Sequence, residues 1–346
     1  MRPVFPSPTS DLVCRAFRML PVVGEIACAM HGKHLLLTGG TGFFGLWILA
    51  LLHELNMQGA CVEVTVISRQ PERFLAEQPE YRNCSWLHWL VSDVRDLKEF
   101  SRSPIDLVLH AAADTSAQAH ASPLELFDSI LHGARNVFDL AVCHGAKRLL
   151  LTGSGAQYGS ASVFLREDSA HACDSRLPSN SYAEAKRAQE TLAALYAQRY
   201  GIEVVMTRCF AFSGPGLPLG GHFAIGNFVR DALNSDAIVL NSNGTAVRSY
   251  LHGADLAIWL LTLLVRGESG QAYNVGSDQP ISIADLAHRV ISRVAPGKPL
   301  KILGKEGDLV RSFYVPDIGR ARALGLDVWT NLDSSIDSMA RWGKSY

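Results

Sequence analysis

The sequence predicts an α/β fold, a doubly wound parallel sheet of the Rossmann type with a smaller C-terminal substrate-binding lobe. Short apolar runs alternate with helical patterns over the first part of the chain, as they do in βαβ units. A glycine-rich turn follows the first apolar run, and after Phe210 the chain becomes rich in glycine and proline. At 346 residues the chain is long enough for about two domains of roughly 150 residues each.

Three segments are expected along the chain. Residues 1–30 lack a clear period and form an N-terminal extension that packs on the body or frays. Residues 31–210 form the dinucleotide-binding Rossmann domain, and residues 211–346 form mainly the substrate-binding lobe. Within that lobe, residues 246–265 are expected to return to the Rossmann domain.

The elements of the Rossmann domain follow from period and composition. Buried parallel strands are short apolar runs, whereas helices repeat their apolar residues every three to four positions. The predicted strands are 34–38, 61–67, one ending before Asp93, 105–110, 149–152 and 204–208. The predicted helices are about 43–55, 124–143 and 182–200.

Composition excludes several classes of function. The net charge is −1 with no basic stripe, so we expect no nucleic-acid partner. The apolar run Leu256 to Val265 is too short for a bilayer, which needs about 20 residues, so we expect no membrane partner. Seven scattered cysteines without a CxxC pair favour free thiols in the cytoplasm. The twelve histidines lack zinc-site spacings, so no metal is expected.

The strongest local motif is LLLTGGTGFFG, residues 35–45. It places Gly39, Gly42 and Gly45 between a strand and a helix. Glycines at these positions let the backbone turn tightly and approach a pyrophosphate, which the helix N-terminus then binds. The motif predicts a dinucleotide site, although a tight turn without a ligand has the same glycines.

The end of the second strand bears on the choice of cofactor. NAD sites usually carry an acidic residue there, whereas this chain has Ser68 and Arg69, with Arg73 close by. A guanidinium suits a 2′-phosphate, so NADP is favoured over NAD. Arg69 could instead stack on the adenine or face solvent. Asp93 is a candidate acceptor for the adenine amino group, or an ordinary turn aspartate.

A YxxxK pair supplies candidate catalytic groups. Tyr182 and Lys186 are four residues apart on a predicted helix and therefore share a face. A nearby ammonium is expected to lower the pKa of the phenol, so that Tyr182 can act as a base. Ser154, just beyond the fourth of the main strands, can hydrogen-bond the same substrate oxygen. The three residues together predict a hydride-transfer site.

With these motifs the chain resembles an extended short-chain dehydrogenase/reductase of the nucleotide-sugar epimerase/dehydratase family. The resemblance runs from about Lys33 to Trp342 and rests on TGGTGFFG, HAAADTS, the Ser154 loop, YAEAK, RCFAFSGP, RSYLHGADL and YNVGS. It implies a nucleotide-activated sugar as substrate and a homodimer. It also implies further cofactor contacts at Phe43, Phe44, Val94, Ala111 and Ala112.

The resemblance also implies substrate contacts. Asn227 and Arg248 match positions that hold the diphosphate in the family, and Arg311 is a candidate second diphosphate arginine; the arginines could instead form surface salt bridges. His222 could touch the sugar or the pyrophosphate, or be a polar loop residue. Thr115 and Ser116 are candidate sugar contacts.

Two reactions stay open on this basis. An epimerase oxidises C4 of the sugar and reduces it again, which the resemblance favours slightly; a keto-reductase consumes NADPH, which Arg69 favours. Family 4,6-dehydratases resemble this chain but carry an Asp-Glu pair after the catalytic Ser or Thr. Gly155 and Ala156 stand there in this sequence and cannot carry a proton. A non-catalytic dinucleotide-binding protein is the remaining alternative.

Overall fold

The computed structural model describes residues 20–97, 104–113, 117–221, 223–304 and 312–344. Its helices are α1 Pro21–Met30, α2 Phe43–Met57, α3 Pro71–Glu77, α4 Ala117–His120, α5 Pro123–Cys143, α6 Ser181–Tyr200, α7 Ala224–Asn234, α8 Gly253–Arg266, α9 Ile283–Val294, α10 Gly319–Arg322 and α11 Leu332–Gly343. Its strands are β1 His34–Thr38, β2 Glu63–Ser68, β3 Leu87–Val91, β4 Leu107–His110, β5 Arg148–Ser154, β6 Glu203–Cys209, β7 Phe212–Ser213, β8 Ile238–Leu240, β9 Val247–Arg248, β10 Leu251–His252, β11 Ala272–Val275, β12 Ile281–Ser282, β13 Leu300–Ile302 and β14 Phe313–Tyr314.

Seven strands form one sheet in the order β11-β6-β5-β4-β1-β2-β3. Every neighbouring pair in this sheet is parallel. The strand order reverses between β1 and β4, and ligands bind at such a point, outside the carboxyl ends of the strands. The predicted doubly wound Rossmann fold is confirmed.

Helices cover both faces of the sheet. On one face α2 and α8 pack together, and α1 packs on α8. Trp47 of α2 and Trp259 of α8 are fully buried in this layer. On the other face α5 packs along α6, with Phe138 and Tyr196 in contact. Both layers bury the near-continuous apolar strands that a parallel sheet requires.

Two elements differ from the sequence-based expectation. The N-terminal segment contains the ordered helix α1, whose Val22, Ile26 and Met30 are buried against the body. The helix is only ten residues long, so its apolar period repeats few times in the sequence. Strand β11 closes one edge of the sheet and was not predicted, because its four residues carry no strong alternation.

The C-terminal part has an apolar core of its own. Helices α7, α9 and α11 contact one another around buried residues of β8 and α9 such as Ile238 and Leu286. A small sheet, β12-β9-β14, lies beside this core. The division of the chain into domains stays a prediction. Among the helices of the described segments, none combines the length and the apolar character that crossing a bilayer demands.

His252 lies between α2, α8 and α11, and it makes the stability of the fold depend on pH. Its Nδ1 accepts a hydrogen bond from the Ala254 amide at 3.2 Å, and its ring meets Trp47 edge to face at 4.9 Å. Burial lowers the pKa of His252 from 6.5 to about 3. Between pH 6.5 and about 3, His252 therefore binds a proton in the unfolded chain but not in the folded chain. We expect this residue to reduce the free energy of unfolding by about 2 kcal/mol between neutral pH and pH 5.

The measurement compares urea unfolding of the wild type and His252→Asn at both pH values. Asparagine retains a helix-capping oxygen but does not titrate. The variant should therefore lose less stability on acidification than the wild type, even if it starts from a lower value. His31→Asn, at an exposed position, controls for the loss of a histidine. Equal acid losses in wild type and His252→Asn would contradict the assignment.

Candidate functional site

The glycine turn between β1 and α2 is built for close backbone approach. Gly39 has φ +73°, and a Cβ there would lie 2.6 Å from the Ala111 carbonyl oxygen. A Cβ on Gly45 would lie 2.2 Å from the Gly40 carbonyl carbon, so only glycine lets α2 start against the turn. At Gly42, the N-cap residue, a Cβ would meet only the Gly39 carbonyl oxygen, at 3.5 Å.

This turn fits the pyrophosphate of a dinucleotide. No described side chain caps the start of α2, which leaves the N–H groups of its first turn without a side-chain acceptor among the described residues. Such a helix start binds a phosphate group through N–H donors and the helix dipole. The predicted glycines are thus brought together at the carboxyl end of β1, where a Rossmann fold binds its cofactor.

The other predicted contacts at this edge surround the turn. Ala111 and Ala112 follow β4, and both backbone amides donate to Thr38 at 3.3 and 3.1 Å. Phe43 and Phe44 are half-buried, and the Phe44 ring lies 5.0 Å from that of Phe212. The two phenylalanines therefore pack toward the β6–β7 segment as well as lining the turn.

The predicted adenosine end of the site is polar and charged. Ser68 lies at the end of β2, with its hydroxyl 3.3 Å from that of Thr41, and Arg69 is exposed beside it. Asp93 forms two hydrogen bonds with the Arg95 guanidinium, at 3.0 and 2.8 Å. These hydrogen bonds lower the pKa of Asp93 to about 2, and the nearby charge of Arg69 adds to the effect.

Two predictions need adjustment here. The carboxylate of Asp93 is already engaged by Arg95, so an adenine amino group would share or displace that partner. Val94 presents its side chain to α5, where it would lie 2.9 Å from a Cβ on Gly133. Arg73 lies 3.8 Å from Glu77 on α3 and is well exposed. Of Arg69 and Arg73, it is therefore Arg69 whose charge acts on Asp93.

Ser154 and Tyr182 meet at the carboxyl end of β5. Ser154 is the last residue of β5, and its hydroxyl accepts a hydrogen bond from the Ala156 amide at 3.2 Å. Burial raises the pKa of Tyr182 to about 12, and a hydrogen bond with Ser154 opposes this rise. The direction is opposite to the lowering expected from Lys186. The reason is that burial of the phenol outweighs the effects that lower its pKa.

Lys186 lies beneath the site and not against the phenol. Its Nζ donates to the Thr152 carbonyl oxygen at 3.0 Å and to Gln189 Oε1 at 3.2 Å. It is 2% exposed, and burial lowers its pKa to about 8. The spacing on α6 places Tyr182 and Lys186 on one face, as predicted, but the ammonium supports the strand end behind Ser154.

Tyr314 is a site residue that sequence reasoning missed. Its hydroxyl would lie 2.8 Å from a Cβ on Gly155 and donates to the Cys209 carbonyl oxygen at 3.4 Å. A hydrogen bond with Ser154 opposes the rise that burial causes in the pKa of Tyr314. A second phenol therefore lies at Ser154. Tyr314 lies on β14, far from Ser154 in the sequence, and no local sequence pattern predicts this contact.

His120 is a second missed residue. It ends the short helix α4, and its ring lies 5.3 Å from that of Tyr182, edge to face. The imidazole thus borders the ring of Tyr182. No spacing in the sequence links these two residues.

The predicted diphosphate residues have protein partners. Arg248 Nη1 donates to Ser312 and Val247, and its guanidinium lies 5.6 Å over the ring of Tyr314. Asn227 on α7 donates to the Gly221 carbonyl oxygen and accepts from Arg230. Arg248 is therefore close to the Ser154 loop through Tyr314, whereas the described partners of Asn227 are Gly221 and Arg230.

Four predicted substrate contacts lie outside the described residues. They are Thr115, Ser116, His222 and Arg311. They stay predictions from the sequence.

Known proteins resemble this chain in sequence. The NAD dependent epimerase/dehydratase family model matches residues 35–276. UDP-glucuronic acid decarboxylase 6 of Arabidopsis thaliana is 27% identical over 292 residues, covering 83% of this chain and 82% of that protein. A dTDP-D-glucose 4,6-dehydratase of Mus musculus is 25% identical over 266 residues, covering 76% of this chain and 73% of that protein.

Solved structures share the fold. A UDP-glucose 4-epimerase from Thermotoga maritima with UDP-glucose superposes with a TM-score of 0.76 at 19% identity, covering 90% of this chain and 99% of that one. The dTDP-glucose 4,6-dehydratase DesIV from Streptomyces venezuelae, with NAD bound, gives a TM-score of 0.76 at 23% identity, covering 90% and 97%. Since the family model spans most of the chain, this protein belongs to the NAD dependent epimerase/dehydratase family.

Proposed function

We propose that this protein is an NAD(P)-dependent nucleotide-sugar epimerase that acts at C4 of the sugar. One observation carries the proposal. The segment 154–159, which we call the catalytic loop, presents Ser154 to Tyr182 and has no acidic residue at the two positions after Ser154. The aromatic side chains of Tyr314 and Phe210 would each lie 2.8 Å from a Cβ on Gly155. A carboxylate therefore has no space there, and Ala156 has no titratable group.

The chemistry of the site follows from these groups. When bound, the nicotinamide takes a hydride from a sugar carbon or returns one. Tyr182 moves the proton of the hydroxyl on that carbon, since its phenol is within hydrogen-bonding reach of Ser154. Ser154 orients the same oxygen. Lys186 holds the end of β5 through Thr152 and offers its remaining N–H to the cofactor ribose.

Elimination of water requires more acid–base groups than the described residues of this site supply. A dehydratase must protonate a leaving hydroxyl while a base removes the neighbouring carbon-bound proton. Glu184 is the carboxylate on the YAEAK segment, but it accepts from Arg187 at 3.1 Å and from the Cys173 thiol at 3.0 Å. The carboxylate is therefore already occupied by these two donors. We therefore propose inversion at C4 and not loss of water.

The substrate side rests on Arg248 and the residues around it. The guanidinium is a bidentate donor for phosphate oxygens, and its stacking on Tyr314 places it next to the catalytic loop. A diphosphate held there would direct its sugar toward Ser154. Asn227, His222, Arg311, Thr115 and Ser116 remain proposed contacts. The relatives whose names include UDP and dTDP sugars support a pyrimidine nucleotide.

A keto-reductase is the second candidate, and Arg69 favours it. The two reactions differ in stoichiometry, because a reductase consumes one cofactor per turnover whereas an epimerase reuses it. The experiment incubates the protein with UDP-glucose, UDP-galactose, UDP-glucuronic acid and dTDP-glucose, each with NAD and with NADP, and separately with a nucleotide-activated 4-keto sugar and NADPH. Products are identified by mass spectrometry and NMR.

Each outcome of this panel decides between readings. Interconversion of UDP-glucose and UDP-galactose with catalytic cofactor supports the epimerase. A 4-keto-6-deoxy product from dTDP-glucose, or release of carbon dioxide from UDP-glucuronic acid, would replace the proposal by dehydratase or decarboxylase activity. Consumption of one NADPH per 4-keto sugar reduced would replace it by the keto-reductase, and absence of conversion in every arm would favour the non-catalytic alternative.

Arg69 decides the cofactor preference in this proposal. We expect NADP to bind more tightly than NAD, because the exposed guanidinium of Arg69 lies beside Asp93, with Ser68 in place of an acid. A charge-assisted phosphate contact contributes about 1.5–3 kcal/mol. Arg69→Ala should erase most of the preference while the Kd for NAD changes little.

The Kd values of both cofactors are measured by calorimetry for wild type, Arg69→Ala and Arg73→Ala. Arg73 lies on the same surface but pairs with Glu77, so its variant should keep the preference. Tighter binding of NAD than NADP by the wild type would contradict the assignment.

We also propose a cytoplasmic homodimer. The cysteines of the described segments are all free thiols, which suits a reducing compartment. Helices α5 and α6 leave the apolar side chains of Leu124 and Leu195 exposed, at 71% and 55%.

A further inference from the structure

A buried ion pair lies directly behind the catalytic loop. Arg208 donates from Nε and Nη2 to the two carboxylate oxygens of Glu190, at 3.0 and 2.9 Å. Both side chains are largely buried, with 17% and 14% of their surface exposed. Two parallel hydrogen bonds fix the relative position and orientation of the two groups.

The pair joins the segments that carry the candidate catalytic groups. Glu190 lies on α6, four residues after Lys186 and eight after Tyr182, on the same side of the helix. Arg208 lies on β6, where it is the register partner of Gly153, the residue before Ser154. The ion pair therefore spans from the helix of the tyrosine to the strand of the serine.

The guanidinium also supports the loop itself. It lies 4.8 Å over the ring of Tyr158, which ends the short helix that begins after Ser154. Arg208 Nη1 donates to the Glu167 carbonyl oxygen at 3.3 Å. Tyr158 is 1% exposed and its hydroxyl donates to Asn274 at 2.8 Å. The ring is thus held between the cation and β11.

The space around Gly153 shows how tightly this region is packed. A Cβ there would lie 2.4 Å from the Thr207 carbonyl oxygen, 2.6 Å from Gln157 Oε1 and 3.5 Å from Glu190 Oε1. The Glu190 carboxylate is therefore close to the backbone that leads into Ser154. A change in its position acts on the serine without an intervening flexible segment.

We propose that Arg208 and Glu190 are positioning residues that set the placement of Ser154 relative to Tyr182. They touch neither sugar nor cofactor in this account, which rests on the proposed roles of Ser154 and Tyr182. Loss of the fork geometry shifts the loop, and a shift of about 1 Å at a reacting group can lower a rate by roughly 10²-fold. The effect falls on kcat, because the cofactor turn and Arg248 stay in place.

The first test is Arg208→Lys, which retains the charge and loses the fork and the stacking. We expect kcat to fall by about 10²-fold, with KM for the nucleotide sugar and Kd for NAD within about three-fold of wild type. Hydrogen–deuterium exchange of a peptide covering residues 153–158 should become faster, and exchange in α2 should not. Arg289→Lys is the matched control, because Arg289 makes a bidentate pair with Asp333 on the surface.

A double variant separates positioning from stability. Arg208→Met with Glu190→Met removes both charges, so no unpaired charge stays buried and the fold is retained. Positioning predicts that kcat stays low in this folded variant. Recovery of wild-type kcat would overturn the proposal, as would normal kcat or unchanged exchange in Arg208→Lys.

The two proposals fail in different ways. If the wild type converts no nucleotide sugar, the proposed function is wrong, and loop exchange decides the positioning claim. Faster exchange of residues 153–158 in Arg208→Lys, absent from Arg289→Lys, then supports it, and equal exchange refutes it.

Discussion

Replacing Tyr182 by phenylalanine should lower kcat by at least about 10²-fold, because a positioned general acid or base contributes about 10²–10⁴-fold. The substitution removes one oxygen from a half-buried side chain and leaves the ring contact with His120 intact. The fold and the cofactor turn should therefore be unchanged. Steady-state kinetics with the converted sugar from the substrate panel give kcat, and calorimetry gives the Kd of NAD.

Tyr200→Phe is the matched control for this variant. Tyr200 ends the same helix and is 45% exposed, far from Ser154 in the fold. It should keep wild-type kcat. A Tyr182→Phe enzyme with near-normal turnover would show that another group moves the proton.

The second large effect concerns the cofactor turn. Gly45→Ala places a Cβ 2.2 Å from the carbonyl carbon and oxygen of Gly40, and neither backbone can move without separating α2 from β1. Overpacking against flexible side chains already costs about 1–3 kcal/mol, and here both contacts are main chain. We expect a lower melting temperature and at least about ten-fold weaker NAD binding, since about 1.4 kcal/mol corresponds to ten-fold.

Gly24→Ala is the control for this variant. Gly24 lies inside α1, and a Cβ there would meet no atom within 4 Å. Alanine in a helix interior is favoured over glycine, so this variant should be at least as stable as wild type. Wild-type stability and NAD affinity in Gly45→Ala would contradict the packing described for the turn.

The sequence predicted what is encoded locally. Gly39, Gly42 and Gly45 lie within seven residues and directly follow a strand. Tyr182 and Lys186 are placed on one face by helix geometry alone. Strand alternation with helices likewise predicts the sheet, because right-handed crossovers leave few topologies.

What the sequence did not predict depends on distant contacts. Tyr314 reaches Ser154 from β14, and Arg208 meets Glu190 between a strand and a helix. Neither pair has a characteristic spacing. The predicted lowering of the Tyr182 pKa was wrong for a related reason. Burial, which depends on the whole fold, raises this pKa, and the Lys186 ammonium donates to Thr152 and Gln189.

One local sequence pattern does indicate a contact at Asp93. Arg95 stands two residues after Asp93, and a two-residue spacing in a tight turn lets the guanidinium return to the carboxylate. The sequence Asp-Val-Arg therefore indicated that Asp93 would have an internal partner.

The central claim is that Tyr182 and Ser154 serve inversion at C4 of a nucleotide sugar. It is tested most directly with UDP-glucose that carries deuterium at C4 of the glucose, incubated with the protein and catalytic NAD or NADP in ordinary water. NMR and mass spectrometry locate the label in the product. The account predicts UDP-galactose with the deuterium retained at C4, and its absence with Tyr182→Phe. Inversion with loss of the deuterium to water, or a product altered at another carbon, would contradict it.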